Sequence, residues 1–418
     1  MKISIISDMH LGVKWGSELQ EDSFEQFEEA IKKSIEEKVD FILIPGDIFD
    51  VRLPKQEVWA RALKSFQTHL LAEKTSAEFK GFVGEHEPVS EMALKGVPIV
   101  AIYGNHEIRG SHQVNPVQLL EKAGYLIYLH KNGVVFEKNN EKVAVQGLSA
   151  VAENEAKEVL EKWNPKPIEG AFNVFIFHQS TTEEIYDPDN TFMSLDDLPK
   201  GFDLYVDGHI HWRKWVPEKK FLIPGSTVIT QMKEKEALQG KGFYLIETNP
   251  FKVDFVKLEN QRPFYFKKIE LIEADQLKAN EEIAKFLNSI PKNTMKKPVV
   301  KIKLVGKMKE GLKGNQLSFN DFKQREDLLV FIDNEIESEE LKKTIEKLRE
   351  LHQNKRSVDE MGLDLVKELL KQTSYDSFNV SELIEPLADG DSSYLMNLIE
   401  KDLEKIRKSI EEKEVTFS

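Results

Sequence analysis

Five short groups of polar residues bring carboxylate, imidazole and amide side chains together in spacings that suit metal binding. In chain order they are Asp8-Met9-His10, Gly46-Asp47, Gly104-Asn105-His106-Glu107, His178 and Gly208-His209-Ile210-His211. In an extended backbone, residues two positions apart point the same way, so the paired residues of the first and of the last group would each address one ion together. Oxygen and imidazole ligands without sulfur suit a divalent ion such as Mn²⁺, with Mg²⁺, Fe²⁺ or Zn²⁺ as competitors.

Asp47 is the carboxylate placed to bridge two ions. Two ions about 3.5–4 Å apart can activate water and hold both the attacking and the leaving oxygen of a phosphate. A bridging carboxylate with neutral histidines leaves such a site net positive, which favours a phosphodiester anion. A single Asp-x-His or Gly-Asp is usually turn chemistry. Five groups in order, each at the end of a predicted strand, predict a two-metal phosphoesterase.

Apolar runs precede the polar groups and are typical of buried strands of an α/β protein. These runs are residues 39–44, 97–103, 173–177 and 203–206. A crossover helix is predicted before the first run, because four apolar residues recur there at helical spacing. They are Phe24, Phe27, Ile31 and Ile35. Ligands at the carboxyl ends of strands are the expected arrangement of an α/β site.

Three further stretches of the chain have a different character. The long connection 67–95 is interpreted as a surface insertion. Strand patterns at 264–266 and 298–304, with a helical pattern at 274–287 between them, predict a small α+β domain. Beyond Ser338 the chain is charged and helical, and an apolar stripe runs from Leu395 to Ile410. These last helices either pack on one another or dock onto the helices of a partner.

The composition limits the class of protein. None of the 418 residues is a cysteine, which excludes disulfides, thiolate metal sites and a cysteine nucleophile. No signal peptide and no apolar run of membrane-spanning length is present in the sequence, so we expect a soluble intracellular protein. The net charge of −14 argues against non-specific electrostatic binding of DNA. A nucleic-acid role would need local basic patches, bound cations or a partner.

The ordered set of motifs resembles the calcineurin-like metallophosphoesterase superfamily. Three features narrow the match to the SbcD or Mre-eleven type of double-strand-break repair nuclease. These are the opening Ser7-Asp8-Met9-His10-Leu11-Gly12, the group Gly46-Asp47-Ile48-Phe49-Asp50, and a Pro224-Gly225-Ser226 turn followed by Lys241-Gly242-Phe243-Tyr244. The motif match covers roughly residues 1–250, and the later domains resemble the family by position.

The resemblance implies an α/β fold: a four-layer metallophosphoesterase β-sandwich flanked by helices, a small α+β capping domain and C-terminal helices. The implied domains are a nuclease domain at 1–258, a DNA-contacting capping domain at 259–336, and a helical ATPase-partner segment at 337–418.

The resemblance also implies a role for each matching residue. The first metal would be held by Asp8, His10, Asp47 and His211, and the second by Asp47, Asn105, His178 and His209. His106 would steady the phosphate or protonate the leaving oxygen, because histidine side chains exchange protons near neutral pH. Glu107 stands where many members have Asp, and it could still orient His106. Asp50 stands where some archaeal relatives carry a histidine linked to exonuclease activity, which leaves the exonuclease-to-endonuclease balance open.

The implied function is that of a Mn²⁺-dependent 3′–5′ exonuclease and endonuclease for double-strand breaks, with two Mn²⁺, Mg²⁺ or other divalent ions per chain. The implied partners are DNA, a second copy of the chain, and an SMC-like coiled-coil ABC ATPase of the Rad-fifty or SbcC type bound through the C-terminal helices. The chain has no phosphate-binding loop of its own for ATP. The implied location is the cytoplasm, at the nucleoid. Basic residues beside the motifs could contact the DNA backbone: Arg52, Arg109, Arg213 and Lys214.

Two other functions fit parts of the sequence. The first is a metallophosphoesterase for a small phosphodiester or a phosphoprotein, since Gly104-Asn105-His106-Glu107 is phosphatase-like. Against it, Gly46-Asp47 continues as Ile48-Phe49-Asp50 rather than with the Asp-Arg-Gly ending of Ser/Thr phosphatases. The second is a degenerate, non-catalytic scaffold. Its signature would be a broken ligand set, and every expected ligand is present.

Overall fold

The computed structural model describes residues 1–110, 113–182, 193–291, 294–309 and 317–337. The helices predicted beyond Ser338 lie outside these residues. The chain divides into two compact units, the first formed by Met1–Glu270, Leu277–Leu304 and Ser318–Asn334. Of the second unit, residues 271–276, 305–309, 317 and 335–337 are described. The domain boundaries drawn from the sequence stay a prediction.

The described strands lie along the whole of this part of the chain. They are β1 (Lys2–Ile5), β2 (Phe41–Pro45), β3 (Glu78–Val83), β4 (Ile99–Ile102), β5 (Ile127–Tyr128), β6 (Asn132–Lys138), β7 (Glu141–Leu148), β8 (Ala171–Phe177), β9 (Leu204–Asp207), β10 (Lys214–Val216), β11 (Phe221–Ile223), β12 (Gly242–Thr248), β13 (Phe251–Lys257), β14 (Phe264–Ala274), β15 (Val299–Met308) and β16 (Leu329–Glu337). The α-helices are α1 (Asp22–Glu36), α2 (Gln56–Leu70), α3 (Pro116–Lys122), α4 (Ala156–Trp163), α5 (Glu234–Gln239), α6 (Gln276–Asn288) and α7 (Asn320–Lys323).

Two mixed sheets form the body of the first unit. The first sheet has the order β13-β12-β1-β2-β4-β5, and the second has the order β10-β11-β9-β8-β7-β6-β3. Strands β1, β2, β4 and β5 are parallel, as are β7, β8, β9 and β11. Strands β14, β15 and β16 form a separate three-stranded sheet.

Alternation along the strands produces four layers. Phe41 and Leu43 of β2 share one buried cluster with Val174 and Ile176 of β8, so this cluster fills the space between the two sheets. The other residues of the same strands face outward. Ile42 and Ile44 pack with the helices on one side, where the cluster includes Phe24 of α1 and Phe66 of α2. Phe175 and Phe177 pack with Leu160 of α4 on the other side. The predicted four-layer α/β sandwich is confirmed.

The predicted elements agree with the structure except in one connection. The four apolar runs correspond to β2, β4, β8 and β9, and the periodic segment before β2 forms α1. The connection 67–95 is not merely a surface insertion, because it contains β3, which pairs with β6 at the edge of the second sheet. Among the described helices, none combines the length and apolar character that crossing a membrane requires.

His69 at the end of α2 is fully buried and makes the stability of the fold sensitive to pH. Its Nδ1 lies 2.9 Å from the Val97 carbonyl oxygen, and burial lowers its pKa from 6.5 to about 4. The unfolded chain therefore binds a proton at His69 below about pH 6.5, whereas the folded chain binds that proton only near pH 4. This contribution to stability is present above pH 6.5 and is lost as the pH falls through that window.

We expect the free energy of unfolding to fall more steeply in the wild-type chain than in His69→Gln as the pH is lowered from about 7 to about 4.5. The difference should be about 2–3 kcal/mol. Urea unfolding at both pH values, with a chelator present, measures it. Parallel losses in the two chains would contradict the prediction.

Candidate metal centre

All five polar groups lie at the carboxyl ends of strands. The first three follow β1, β2 and β4 of the first sheet, and the last two follow β8 and β9 of the second. The two sheets pack face to face, and residues from all five groups meet at this edge of the sandwich. Within the third group, Asn105, His106 and Glu107 form a single turn of 3₁₀ helix.

The backbone at the site is left-handed at four of the predicted ligands. The φ angles are 50° at Asp8, 44° at His10, 48° at Asp47 and 66° at His209. The extended backbone predicted for the paired residues is therefore wrong. Asp, Asn and His tolerate this conformation better than most residues, yet it still costs on the order of 1–3 kcal/mol for each. Main-chain hydrogen bonds hold the turns in place, including His10 N–H to the Asp47 carbonyl at 3.0 Å.

A first cluster of potential ligand atoms comes from four buried side chains. Asp8, His10, Asp47 and His211 each offer one atom within 4.8 Å of the others. His10 Nε2 lies 3.1 Å from His211 Nε2 and 3.6 Å from Asp47 Oδ2, and His211 Nε2 lies 4.0 Å from Asp8 Oδ1. Asp8 Oδ1 and Asp47 Oδ2 are buried without a hydrogen-bond donor among the described residues.

The Nδ1 atoms of His10 and His211 point away from the cluster and have different contacts. His10 Nδ1 lies 3.3 Å from Asp50 Oδ1. His211 Nδ1 is hydrogen-bonded to the Thr230 hydroxyl, which donates to Glu236 Oε1 at 3.5 Å. Because a carboxylate only accepts, the contact through Thr230 favours the ring proton of His211 on Nδ1, whereas His10 Nδ1 has no hydrogen-bond partner among the described residues. His211 Nε2 then directs a lone pair towards His10 Nε2, an arrangement that a cation between the two nitrogens would stabilise.

A second cluster of potential ligand atoms is formed by Asn105, His178, His209 and Asp47. Asn105 Oδ1 lies 3.0 Å from His178 Nε2 and 2.9 Å from His209 Nδ1, and His178 Nε2 lies 3.4 Å from Asp47 Oδ2. His178 Nδ1 donates to the Pro45 carbonyl at 2.8 Å. On the far side of the other ring, His209 Nε2 lies 3.0 Å from Ser180 Oγ. Asp47 Oδ2 thus lies beside a ring nitrogen of each cluster, at 3.6 Å from His10 Nε2 and 3.4 Å from His178 Nε2.

The clearest charge interaction around Asp47 is with His178. Burial opposes it, yet the Asp47 carboxylate raises the pKa of His178 to about 10. Burial lowers the pKa of His209 to about 4 and raises that of Asp8 to about 6. Against its own burial, Asp47 is held well below its usual pKa by the neighbouring His178 and His10. The Asp47 carboxylate is thus ionised and accompanied by at least one positive charge.

His106 lies beside the ligand atoms with its ring fixed from one side. Its ring Nδ1 donates to the Asp50 carbonyl at 2.6 Å, and its backbone N–H donates to Asp47 Oδ1 at 3.1 Å. The ring centroid is 4.8 Å from that of His10, and His106, Asp50 and His10 also group as potential ligands. The side chain is half-buried.

Glu107 does not hold the His106 ring, contrary to the role suggested by the sequence. Its carboxylate accepts hydrogen bonds from Phe49 N–H at 2.8 Å and Gly104 N–H at 2.9 Å. Burial, and then the charge of Asp47, raise the pKa of Glu107 to about 8. Glu107 therefore links the loop that follows β2 to the loop that follows β4.

The four predicted DNA-contacting residues differ in their surroundings. Arg52 and Lys214 are exposed, and the half-buried Arg109 donates to Gln113 Oε1 at 2.9 Å. The Arg213 guanidinium donates to the carbonyl oxygens of Gln239 and Gly240 and lies 4.0 Å from the centroid of the Phe255 ring. These internal contacts favour a structural role for Arg213.

Comparison with known proteins gives the family. The sequence profile of the calcineurin-like phosphoesterases matches residues 1–213, half of the chain. The chain belongs to the calcineurin-like phosphoesterase family. The buried Asp/His cluster of this phosphoesterase is accordingly a divalent-metal site by its position and its chemistry.

Several proteins similar to this phosphoesterase are named as double-strand break repair proteins. The double-strand break repair protein MRE11 of Encephalitozoon cuniculi is 27% identical over 302 residues, which cover 68% of this chain and 52% of the relative. Mre11 of Methanopyrus kandleri is 28% identical over 63% of this chain and 58% of the relative. Mre11 of Methanococcus maripaludis is 30% identical over 59% and 62%. The chain thus matches roughly half the length of the curated relatives.

The phosphoesterase site also contains residues that the sequence did not single out. Thr230, Ser180, Glu153 and Glu236 bind the outer nitrogens of the histidines directly or through a hydroxyl. Thr230 stands 19 positions after His211 and Glu153 stands 27 before Ser180, and no motif connects them. Only the folded loops bring them together.

Proposed function

We propose that this phosphoesterase is a two-metal DNA nuclease that processes double-strand breaks. The observation that carries the proposal is the pair of acceptor clusters that share Asp47 Oδ2. Each cluster gathers ring nitrogens with carboxylate or amide oxygens around a common point, as required by two neighbouring divalent ions. The double-strand break repair names of the relatives from Encephalitozoon cuniculi, Methanopyrus kandleri and Methanococcus maripaludis support DNA as the substrate.

The proposed first cation is held by Asp8, His10, Asp47 and His211, and the second by Asp47, Asn105, His178 and His209. Oxygen and imidazole donors without sulfur favour Mn²⁺, with Mg²⁺ as a competitor. When bound, the two cations would neutralise the phosphate and activate the attacking water.

The chain's own residues complete the chemistry on the open side of the site. Asn105 is exposed and His106 is half-buried, whereas Asp8, His10 and Asp47 are buried, so a phosphodiester approaches from the side of Asn105 and His106. The hydrogen bond from His106 Nδ1 to the Asp50 carbonyl fixes the ring and leaves Nε2 for the substrate. As the bond from phosphorus to the leaving sugar oxygen breaks, His106 Nε2–H either gives its proton to that oxygen or steadies the phosphate through a hydrogen bond.

The wider assembly is part of the same proposal. The chain acts as a 3′–5′ exonuclease and endonuclease, forms a homodimer, and binds an SMC-like coiled-coil ATPase through residues 337–418, in the cytoplasm at the nucleoid. A partner with a basic surface would also offset the net charge of −14 during DNA binding.

The activity can be tested on four substrates in parallel. They are a linear duplex labelled at one 5′ end, a circular single strand, a phosphodiester dye substrate and a phosphomonoester dye substrate. With Mn²⁺ we expect shortening of the duplex from its 3′ end, cutting of the circle and hydrolysis of the diester. A chelator should abolish all three reactions.

The same experiment separates the proposal from its alternative. If both DNA substrates stay intact while the phosphomonoester is hydrolysed, the chain is a phosphatase and the nuclease proposal fails. The Asp47→Asn chain, purified in the same way, controls for a contaminating nuclease.

A further inference from the structure

His211 and His209, two of the proposed metal ligands, each contact a hydroxyl through the ring nitrogen that points away from the proposed cations. Each hydroxyl is in turn hydrogen-bonded to a carboxylate. Thr230 Oγ1 is hydrogen-bonded to His211 Nδ1 and donates to Glu236 Oε1. Ser180 Oγ lies 3.0 Å from His209 Nε2 and donates to Glu153 Oε1 at 2.8 Å. The two hydroxyls contact different nitrogens of their rings, so the nitrogens that face the two clusters are His211 Nε2, 3.1 Å from His10 Nε2, and His209 Nδ1, 2.9 Å from Asn105 Oδ1.

The hydrogen-bonded chain of His211, Thr230 and Glu236 includes a buried ion pair. Lys241 Nζ donates to Glu236 Oε1 at 2.6 Å, and the two side chains are 3% and 1% exposed. The Glu236 carboxylate also accepts from the backbone N–H groups of Thr230, Gln231 and Lys233 at 3.1–3.3 Å. The carboxylate therefore shapes the loop that carries Thr230.

The same ion pair also fixes the main chain of His211. Lys241 Nζ donates to the His211 carbonyl at 3.0 Å and to Ser226 Oγ at 2.7 Å, and Ser226 N–H donates to the same carbonyl at 3.3 Å. Both the backbone and the outer ring nitrogen of His211 thus depend on Glu236 and Lys241. A network that served packing alone would not need to reach the ring.

The hydrogen-bonded chain of His209, Ser180 and Glu153 is shorter and involves Nε2 of the ring rather than Nδ1. Ser180 is 4% exposed and stands two residues after His178, so it belongs to the fourth ligand loop. Its backbone N–H and its hydroxyl both bond to the Glu153 carboxylate, at 3.2 Å and 2.8 Å to Oε1. This contact fixes the hydroxyl as a donor to Glu153 and hence as an acceptor for His209 Nε2–H.

We propose that Thr230 and Ser180 are positioning residues that set the tautomer and the aim of His211 and His209, each for a different one of the two cations. This inference rests on the proposed two-metal function. A hydroxyl that donates its proton to a carboxylate can only accept a hydrogen bond from the ring. The ring proton then lies on the nitrogen next to the hydroxyl, and the nitrogen that faces the proposed cation keeps its lone pair. Outer contacts of this kind typically change metal affinity about 10–100-fold.

The test is the affinity of the full chain for Mn²⁺, measured by calorimetry and equilibrium dialysis without any substrate. Thr230→Val and Ser180→Ala should each weaken one of the two binding events about 10–100-fold and leave the other near its wild-type value. Thr230→Ser and Ser180→Thr keep the hydroxyl and should bind both ions normally.

A second comparison shows whether each hydroxyl acts through its histidine. Thr230→Val should have no further effect in a His211→Ala chain, and Ser180→Ala none in a His209→Ala chain, because the coupled partner is already missing. A merely structural role would lower both affinities together and would persist in those backgrounds, which would overturn the inference. So would wild-type affinities in both single variants. If the wild-type chain itself binds fewer than two Mn²⁺ ions, the proposed function fails first.

Discussion

The His106→Ala chain should bind two Mn²⁺ ions with wild-type affinity and hydrolyse DNA about 10²–10⁴ times more slowly. The hydrogen bond from His106 Nδ1 to the Asp50 carbonyl holds the ring beside the acceptor clusters without using Nε2. The backbone N–H of residue 106, which binds Asp47 Oδ1, is unchanged by the substitution. The ligand loops should therefore keep their geometry while the proton donor is lost. Calorimetry of Mn²⁺ binding and single-turnover DNA cleavage measure the two halves of the prediction.

The substrate's leaving group separates the two roles open to His106. A nitrophenolate leaves without a proton, whereas the sugar oxygen of DNA requires one. If His106 protonates the leaving oxygen, the loss of rate should be much smaller on a bis-nitrophenyl diester than on DNA. Equal losses would mean that the ring steadies the phosphate instead. Loss of one Mn²⁺ ion from the variant would show that His106 is a ligand, in the set it forms with His10 and Asp50. His86→Ala is a matched control, since that ring contacts Tyr128 and Glu121 instead.

The position of these polar groups could be predicted because they follow strands that are easily recognised. The buried runs that became β2, β4, β8 and β9 are strongly apolar, and each is followed at once by a polar group. Parallel strands of one sheet direct their carboxyl ends to a common edge. The family resemblance then supplied what spacing could not, namely that two sheets join their edges and that His178 meets Asn105.

The remaining features depend on contacts that no local pattern encodes. Asp8 and His10 were expected in an extended backbone, but the turns are left-handed because main-chain bonds to the Asp47 loop fold them back. Thr230 reaches His211 only through a loop shaped by the buried pair of Glu236 and Lys241. Arg213 stands two positions after His211 in the sequence, yet its guanidinium turns inward to Gln239. Proximity in sequence could not distinguish these cases.

The Asp47→Asn chain should lose both Mn²⁺ ions together and remain folded. Asp47 Oδ2 lies 3.4 Å from His178 Nε2 and 3.6 Å from His10 Nε2, so both clusters depend on this one oxygen. The loss of a shared anionic ligand should weaken each binding event by about 10³-fold or more, with a similar loss of DNA cleavage, since a metal ion contributes several kcal/mol to such a reaction.

Asparagine is the informative replacement because it suits the metal-free fold. Its carbonyl oxygen can still accept the His106 backbone N–H, as Asp47 Oδ1 does at 3.1 Å. Asparagine adopts the left-handed backbone readily, which matters at a φ of 48°. Asparagine also removes the buried Asp47 Oδ2, which has no hydrogen-bond donor among the described residues. Without metal, the variant should therefore unfold at a temperature close to that of the wild-type chain.

The combined result separates a shared ligand from a residue that only supports the fold. Asp254→Asn, at an exposed carboxylate paired with Lys252, is the matched control and should retain both ions. If Asp47→Asn keeps one tightly bound Mn²⁺ ion, the carboxylate serves a single cation, and the two clusters are independent sites. If it melts well below the wild-type chain without metal, Asp47 stabilises the loops through its charge on His178, and its effect on metal binding is indirect. Loss of both ions at an unchanged melting temperature follows only if the two cations share the Asp47 carboxylate.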